Sequence, residues 1–363
     1  MNVPEPPSPA RWRRVQQLFH AALERPDAER AAWLAGAEGD AALRAEVAAL
    51  LAADAEPATL LDRAPAALAG LDAPAPGPPA APADGATLGP YRVVRTLGQG
   101  GMGVVFLARD ERTGDAVALK VLRPAVADAL AQESARRRFL REVRVGERAT
   151  HPALVPVLDS GESDGRLWLA MPYVDGETLR ARLRREPRLP LAPAADVGRQ
   201  LAEALAWLAE RGVVHRDVKP DNVLLSADAG GALRVRLADF GVARALDLAD
   251  ADGRLTATGV LVGTVRYMSP EQIRGERVDA AADVFALGAV LYELLAGEPP
   301  FGGAERRALL RGAPDAAPDV RRARADVPAD VAALIQRALA PAAAARPSAA
   351  AVATALAAAS ARV

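Results

Sequence analysis

The chain has 363 residues, 51% hydrophobic and 25% charged, too long for one ordinary domain and too apolar for wholesale disorder. Lys and Arg total 45 against 46 Asp and Glu, so a net charge of −1 gives no global field that would recruit nucleic acid or anionic lipid. The absence of cysteine excludes disulfides, thiolate-bound zinc, iron–sulfur clusters and thiol catalysis.

Residues 1–64 are expected to form a small helical module. Ser8 and Pro9 make a good N-cap and first-turn pair, and Trp12, Val15, Leu18, Phe19 and Leu23 then recur at helical spacing. A second helix would carry Trp33 and Leu34, and a third, starting near Asp40, would carry Leu43, Val47, Leu50 and Leu51. So short a module has little core, and self-association through Trp12, Leu18 or Trp33 would complete it. Residues 65–90 turn to Pro, Ala and Gly and are predicted to be a semi-extended linker.

From Tyr91 the pattern changes. Residues 91–97, 104–108 and 116–122 read as strands, 136–148 as an amphipathic helix, and 154–160 and 166–171 as two further strands. Arg136, Arg137 and Arg138 fit a solvated helix face beside Glu133 and Glu142 rather than a nucleic-acid surface. Helices then dominate, among them 193–211, 283–295 and 329–339. The predicted fold class is α+β, with a β-rich lobe over 91–174, a helical lobe over 175–350 and an Ala-rich end over 351–363. The longest apolar run, 284–297, contains Glu293 and falls short of the roughly 20 residues that a membrane helix needs. With Pro4, Glu5, Pro6 and Pro7 in place of a basic-then-apolar leader, a cytoplasmic location is expected.

Only two of the 45 basic residues are lysine, Lys120 and Lys219, and only two residues are asparagine, Asn2 and Asn222. A broad guanidinium cannot replace a compact ammonium at a crowded phosphate, so the two lysines are candidate functional residues before any motif is read. Gly98-Gln99-Gly100-Gly101-Met102-Gly103 fits G-x-G-x-x-G. The dinucleotide-binding fold uses this spacing between a strand and a helix, but here strand-like Val104 and Val105 follow. A glycine loop between strands can lie over a triphosphate, because absent side chains let backbone N–H groups approach. Neither lysine follows a glycine, which sets the P-loop aside.

Val117-Ala118-Leu119-Lys120, His215-Arg216-Asp217-Val218-Lys219-Pro220-Asp221-Asn222 and Asp239-Phe240-Gly241 complete a set. With these motifs the chain resembles the bacterial eukaryotic-like (Hanks-type) serine/threonine protein kinases over residues 91–348. The resemblance implies a bilobal fold, ATP and Mg²⁺ as cofactors, and transfer of the γ-phosphate to Ser/Thr hydroxyls of protein substrates. It implies that Lys120 holds the α- and β-phosphates and pairs with Glu142, that Asp217 takes the acceptor proton, and that Lys219 neutralises the transferring group. Asn222 and Asp239 would bind magnesium. Leu97, Val105, Ala118 and Leu224 would enclose adenine under the glycine loop, with Met171 as gatekeeper and Pro172 and Val174 as hinge. Glu271 of Ser269-Pro270-Glu271, where the family usually has Ala first, would pair with Arg346, and Asp283 would tether the catalytic loop. Thr256 and Thr258 match autophosphorylated positions, with trans-autophosphorylation in a homodimer and Arg216 as phosphate receptor, helped by Arg244 or Arg254. Thr264 matches a threonine that contacts the catalytic aspartate. Two departures stand out. Pro172 replaces a usually acidic hinge residue, and Gly146 replaces an apolar one on the helix of Glu142. A pseudokinase that binds nucleotide without turnover is the rival reading, as is a small-molecule kinase.

Overall fold

The computed structural model describes residues 82, 84–99, 103–122, 143, 149–163, 166–228, 230–239, 266–301 and 317–360, together with 18, 22, 25, 27–37, 43, 44, 47 and 48. The chain divides into two compact units, Met1–Ala75 and Pro76–Val363. In the first, helix α1 spans Asp27–Gly36, and Leu18, Ala22, Leu43 and Val47 also have helical backbone. Leu18, Ala22, Leu34, Leu43 and Val47 are buried together with Trp33 and Ala37 packed on them. The periodic apolar positions thus converge on one small core. Trp12, Val15, Phe19, Leu23, Leu50 and Leu51 lie outside the described residues.

The second unit opens with an antiparallel sheet. Strands β1 (Thr87–Leu88), β2 (Tyr91–Gln99), β3 (Gly103–Asp110), β4 (Ala116–Leu122), β5 (Asp159–Ser163) and β6 (Arg166–Pro172) are ordered β1-β2-β3-β4-β6-β5. Alternate residues Tyr91, Val93, Phe106, Ala108, Val117, Leu119 and Val121 pack with Leu88, Trp168 and Ala170 on one face. Two boundaries differ from expectation. The sheet begins at Thr87, inside the stretch assigned to the linker, because Leu88 is drawn into this core and Thr87 pairs with Arg92. The strand expected over 154–160 lies at Asp159–Ser163 instead. Pro156 interrupts the ladder, and Leu154 makes a single parallel bridge to Leu237 in the other lobe. Of the helix expected over 136–148, only Val143 is described, and it is helical and buried.

The larger lobe holds α2 (Leu179–Arg185), α3 (Leu191–Glu210), α4 (Pro270–Ile273), α5 (Ala280–Ala296), α6 (Ala329–Ala338) and α7 (Ala349–Ser360). A small sheet of β7 (Glu177–Thr178), β8 (Val223–Ala227) and β9 (Leu233–Leu237) lies beside them. Helix α5 is apolar on all sides and buried along nearly its whole length, so it is the lobe's central element. Asp279 caps its start by accepting from the Ala281 N–H, and Gly297 ends it in the left-handed region at φ 90°. Helix α7 belongs to this core as well. Val352, Leu356 and Ala359 are buried against α3 and its neighbours, so a lobe ending at residue 350 would leave that apolar face uncovered.

A chain beginning at Tyr91 loses the buried Leu88 side chain and the bonds Gly85 N–H to Val93 O (2.9 Å) and Gly89 N–H to Ser163 Oγ (3.0 Å). Relative to a chain beginning at Pro82, it is expected to be less stable by about 2 kcal/mol. The test is urea denaturation of both, and equal midpoints would show that β1 adds nothing to the lobe.

Candidate active site

The glycine-rich segment joins β2 to β3, with Gly98 opposite Val105 and Gln99 opposite Val104, so it is a strand-to-strand turn. Gly100, Gly101 and Met102 lie outside the described residues. Gly103 is required by packing, because a Cβ there would sit 2.2 Å from the Val121 carbonyl oxygen of β4. Lys120 lies on β4 opposite Val105 and Leu169, and Ala118 lies opposite Met171 of β6. Met171 is buried, Val105, Ala118, Pro172, Val174 and Leu224 are half-buried, and Leu97 is 38% exposed. Pro172 ends β6 opposite Val117.

The catalytic loop enters from the other side, anchored by α5. Asp283, in the first turn of that helix and 3% exposed, accepts from the His215 N–H (Oδ2) and the Arg216 N–H (Oδ1), both at 2.7 Å. Burial pushes the Asp283 carboxyl up to about 7, whereas the two amide donors and the nearby Arg216 guanidinium favour its charged form. With N–H donors at both oxygens, the carboxylate is the form this geometry accommodates. Arg216 is thereby held at φ 67°, in the left-handed region that a non-glycine residue rarely adopts. His215 is fully buried, with Nε2 3.1 Å from the Ala238 carbonyl and Nδ1 3.3 Å from the Asp217 N–H. Those partners specify the neutral Nε2–H tautomer, and burial accordingly pushes the imidazole down to about 4.

Asp217 Oδ2 accepts from the Lys219 ammonium at 2.8 Å and from Asn222 Nδ2 at 2.9 Å. Asn222 Nδ2 also donates to the Asp217 carbonyl at 2.8 Å. Two acceptors on Nδ2 fix the amide orientation and direct its oxygen away from them. Asp217 Oδ1 is buried and has no partner among the described residues, an orphan that an incoming hydroxyl donor would satisfy. Asp239 is also left-handed, at φ 66°, and its Oδ1 lies 2.8 Å from the Lys120 ammonium, which is buried. Burial pushes the Asp239 carboxyl up, but Lys120 more than reverses this and holds it below the usual carboxylate range. The Ala238 N–H donates to the Asn222 carbonyl at 2.8 Å, tying this segment to the catalytic loop. Asn222 and Asp239 are hard oxygen donors, and Mg²⁺ takes only one or two such protein ligands and completes its shell with phosphate and water. The residues therefore fit a Mg²⁺–nucleotide group.

Lys120, Asp217, Lys219, Asn222 and Asp239, drawn from three separate stretches of sequence, thus lie in two directly bonded groups. Glu142, Gly146, Arg244, Arg254, Thr256, Thr258 and Thr264 lie outside the described residues. The Glu271–Arg346 pair forms as a bidentate fork, Nη1 to Oε1 at 2.5 Å and Nη2 to Oε2 at 2.9 Å. The remaining Arg346 donors reach the carbonyls of Ala340, Ala281 and Pro341. A further buried group was not anticipated from sequence. The Tyr267 hydroxyl donates to Glu293 Oε2 at 2.6 Å, while Arg180 bonds Glu293 Oε1 at 2.8 Å and the Tyr267 oxygen. Residues this far apart in the chain leave no local sequence signal.

A model of the protein kinase domain family matches residues 91–356. The chain belongs to the protein kinase family. It is 45% identical over 221 residues to serine/threonine-protein kinase PknF of Mycobacterium tuberculosis, covering 60% of this chain and 45% of that protein. It is 43% identical over 258 residues to serine/threonine-protein kinase PknB of Mycolicibacterium smegmatis, covering 69% of this chain and 39% of that protein. It is 43% identical over 217 residues to serine/threonine-protein kinase PknJ of Mycobacterium tuberculosis, covering 60% of this chain and 36% of that protein. The match spans less than half the length of these curated relatives. The matched kinase domain runs into α7, in keeping with the burial of that helix in the larger lobe.

Because His215 is neutral in the fold and titrates near 6.5 when unfolded, the unfolded chain binds the extra proton between pH 6.5 and 4. Stability from this group is therefore full above pH 6.5 and falls on acidification, by about 3 kcal/mol in all. Comparing the wild type with His215→Phe isolates it from Asp283, whose raised value acts in the opposite direction. The stability difference between them is expected to shift by that amount from pH 7 to pH 4. A difference independent of pH would rule out the buried neutral imidazole.

Proposed function

We propose that this chain is an ATP- and Mg²⁺-dependent protein serine/threonine kinase. The observation that carries the reading is the partner set of Asp217: one oxygen is held by Lys219 and Asn222, and the other is buried without a partner among the described residues. An acceptor hydroxyl donating to Oδ1 would be oriented for attack on the γ-phosphorus. It would lose its proton to that oxygen as the new P–O bond forms and the bond to the β-phosphate oxygen breaks, releasing ADP. Lys219, bonded to the opposite oxygen, would offset charge on the transferring phosphoryl group. Lys120 and Glu142 would position the α- and β-phosphates. The glycine loop, Leu97, Val105, Ala118, Met171, Pro172, Val174 and Leu224 would hold the nucleotide. Asn222 and Asp239 would hold Mg²⁺, which would supply positive charge against the charge that develops during transfer. The names of the mycobacterial relatives support the serine/threonine class.

The same reading assigns Thr256 and Thr258 as sites of autophosphorylation between two copies of the chain, with Arg216 as phosphate receptor. Each phosphate would add nearly two negative charges and order the segment through arginine pairing. The N-terminal module would support partner docking or regulation without taking part in catalysis, and protein substrates would be met in the cytoplasm. No helix among the described residues is long and apolar enough to cross a membrane.

The test is Mg²⁺-dependent transfer of labelled γ-phosphate to a generic Ser/Thr substrate. Lys120→Arg and Asp217→Asn are each expected to lower the rate by about 100-fold or more while remaining folded. A wild-type chain that binds ATP without transferring phosphate would establish the pseudokinase reading. For the switch, phosphatase treatment and the Thr256→Ala/Thr258→Ala variant are both expected to lower the initial rate at least about tenfold. Unchanged rates in both would remove these threonines from the mechanism.

A further inference from the structure

Ser269 caps helix α4, and the third residue of the helix, Gln272, is bonded in two directions. Gln272 Oε1 accepts from the Ser269 N–H at 3.1 Å, while the Gln272 N–H points to Ser269 Oγ at 3.4 Å, a reciprocal capping box. Gln272 Nε2 donates at 2.8 Å to the carbonyl oxygen of Arg216, which is 56 residues earlier. Both backbone partners are unambiguous, since an N–H can only donate and a carbonyl can only accept, so the amide orientation is fixed. A capping box is served equally well by glutamate or glutamine. Only glutamine also supplies the second, donating half.

The carbonyl that Gln272 holds belongs to the peptide unit whose N–H is that of Asp217. Arg216 sits at φ 67°, a conformation that costs on the order of 1 kcal/mol and persists only where its surroundings over-determine it. Asp283 holds the Arg216 N–H, and Gln272 holds its C=O. Released at the carbonyl end, the peptide plane would keep the longer bond from the Asp217 N–H to His215 Nδ1 (3.3 Å) and could tilt about it, and the Cα of Asp217 would turn with it. We infer that Gln272 is a positioning residue that fixes the Arg216–Asp217 peptide, and with it the direction in which Asp217 presents Oδ1. This inference rests on the phosphotransfer reading of Asp217. It also makes the end of the segment between Asp239 and Ser269 a direct mechanical neighbour of the proton acceptor. A disturbed α4 would then be felt at Asp217 without any change in the nucleotide-binding residues.

Two substitutions separate positioning from helix capping. Gln272→Glu keeps the acceptor for Ser269 but turns an oxygen towards the Arg216 carbonyl. Ser269→Ala removes the cap hydroxyl but leaves the Gln272–Arg216 bond. In the full chain, with initial rates on a Ser/Thr peptide, Gln272→Glu is expected to lower kcat about tenfold, with the KM for ATP within about twofold of wild type. Ser269→Ala is expected to lower the Tm while leaving kcat in place. Should Gln272→Glu not fold, Gln272→Met, which also lacks the donor, is read by the same two constants. A folded Gln272→Glu or Gln272→Met chain with wild-type kcat overturns the inference, as does a loss that falls wholly on the KM for ATP. A wild-type chain with no phosphate transfer overturns instead the reading on which it rests.

Discussion

The Asp283 carboxylate lies inside the larger lobe on its most apolar helix, where an unpaired charge would cost several kcal/mol. Its two oxygens receive the consecutive N–H groups of His215 and Arg216, each bond being of the stronger, charge-assisted kind. Consecutive amides can point at one carboxylate only if the backbone turns sharply, and the left-handed Arg216 is that turn. Everything beyond it follows in register. The Asp217 N–H meets the His215 ring, Lys219 and Asn222 return to the Asp217 carboxylate, and the Asn222 carbonyl catches Ala238 next to Asp239. The site is a chain of hydrogen bonds suspended from one carboxylate on a rigid helix, which is what preorganised chemistry needs.

The link between the lobes is of a different kind. Lys120 comes from β4 of the small-lobe sheet and Asp239 lies two residues beyond β9, and their ion pair joins the two lobes. A buried lysine carries three donors and a charge that need partners, so Asp239 satisfies what would otherwise be a costly group. On the proposed kinase reading, phosphate oxygens and Mg²⁺ would offer each of the two an alternative partner of the same sign. Exchange would then be between comparable interactions, and nucleotide binding would leave neither charge without a partner.

The stretch from Tyr267 to Glu271 is secured by buried polar groups. Arg346 uses all five of its N–H donors, two on Glu271 and three on backbone carbonyls, and its guanidinium lies over the Phe285 ring. Tyr267 is held between Arg180 and Glu293, and burial pushes its phenol up, so it remains a donor. Full satisfaction is what makes such groups compatible with the core, since truncating either partner leaves a buried charge and costs about 3–5 kcal/mol. Tyr267 and Glu271 are thereby fixed to the core of the larger lobe, and Gln272, beside them, donates to the Arg216 carbonyl of the catalytic loop.

Much of this was readable from residues alone. Alternation fixed β2, β3 and β4 within a few residues, and strand character after Gly103 distinguished a strand-to-strand glycine turn from a dinucleotide fold. The scarcity of lysine singled out Lys120 and Lys219, and short motifs brought Asp217, Asn222 and Asp239 into one expectation. These signals are local, because strand period, glycine spacing and ligand chemistry are written within a few residues of one another. The rest needed the tertiary structure. Nothing near Leu88 says that it completes a sheet core, and an alanine-rich stretch after 350 reads as a terminus until α3 is seen to cover it. Arg180 and Glu293 are 113 residues apart, and Gln272 and Arg216 are 56 apart. The sequence by itself determined which chemical groups the site contains. Packing around α5 decided which polar groups face one another, because the partner of a buried donor is chosen by the whole fold and not by its neighbours in the chain.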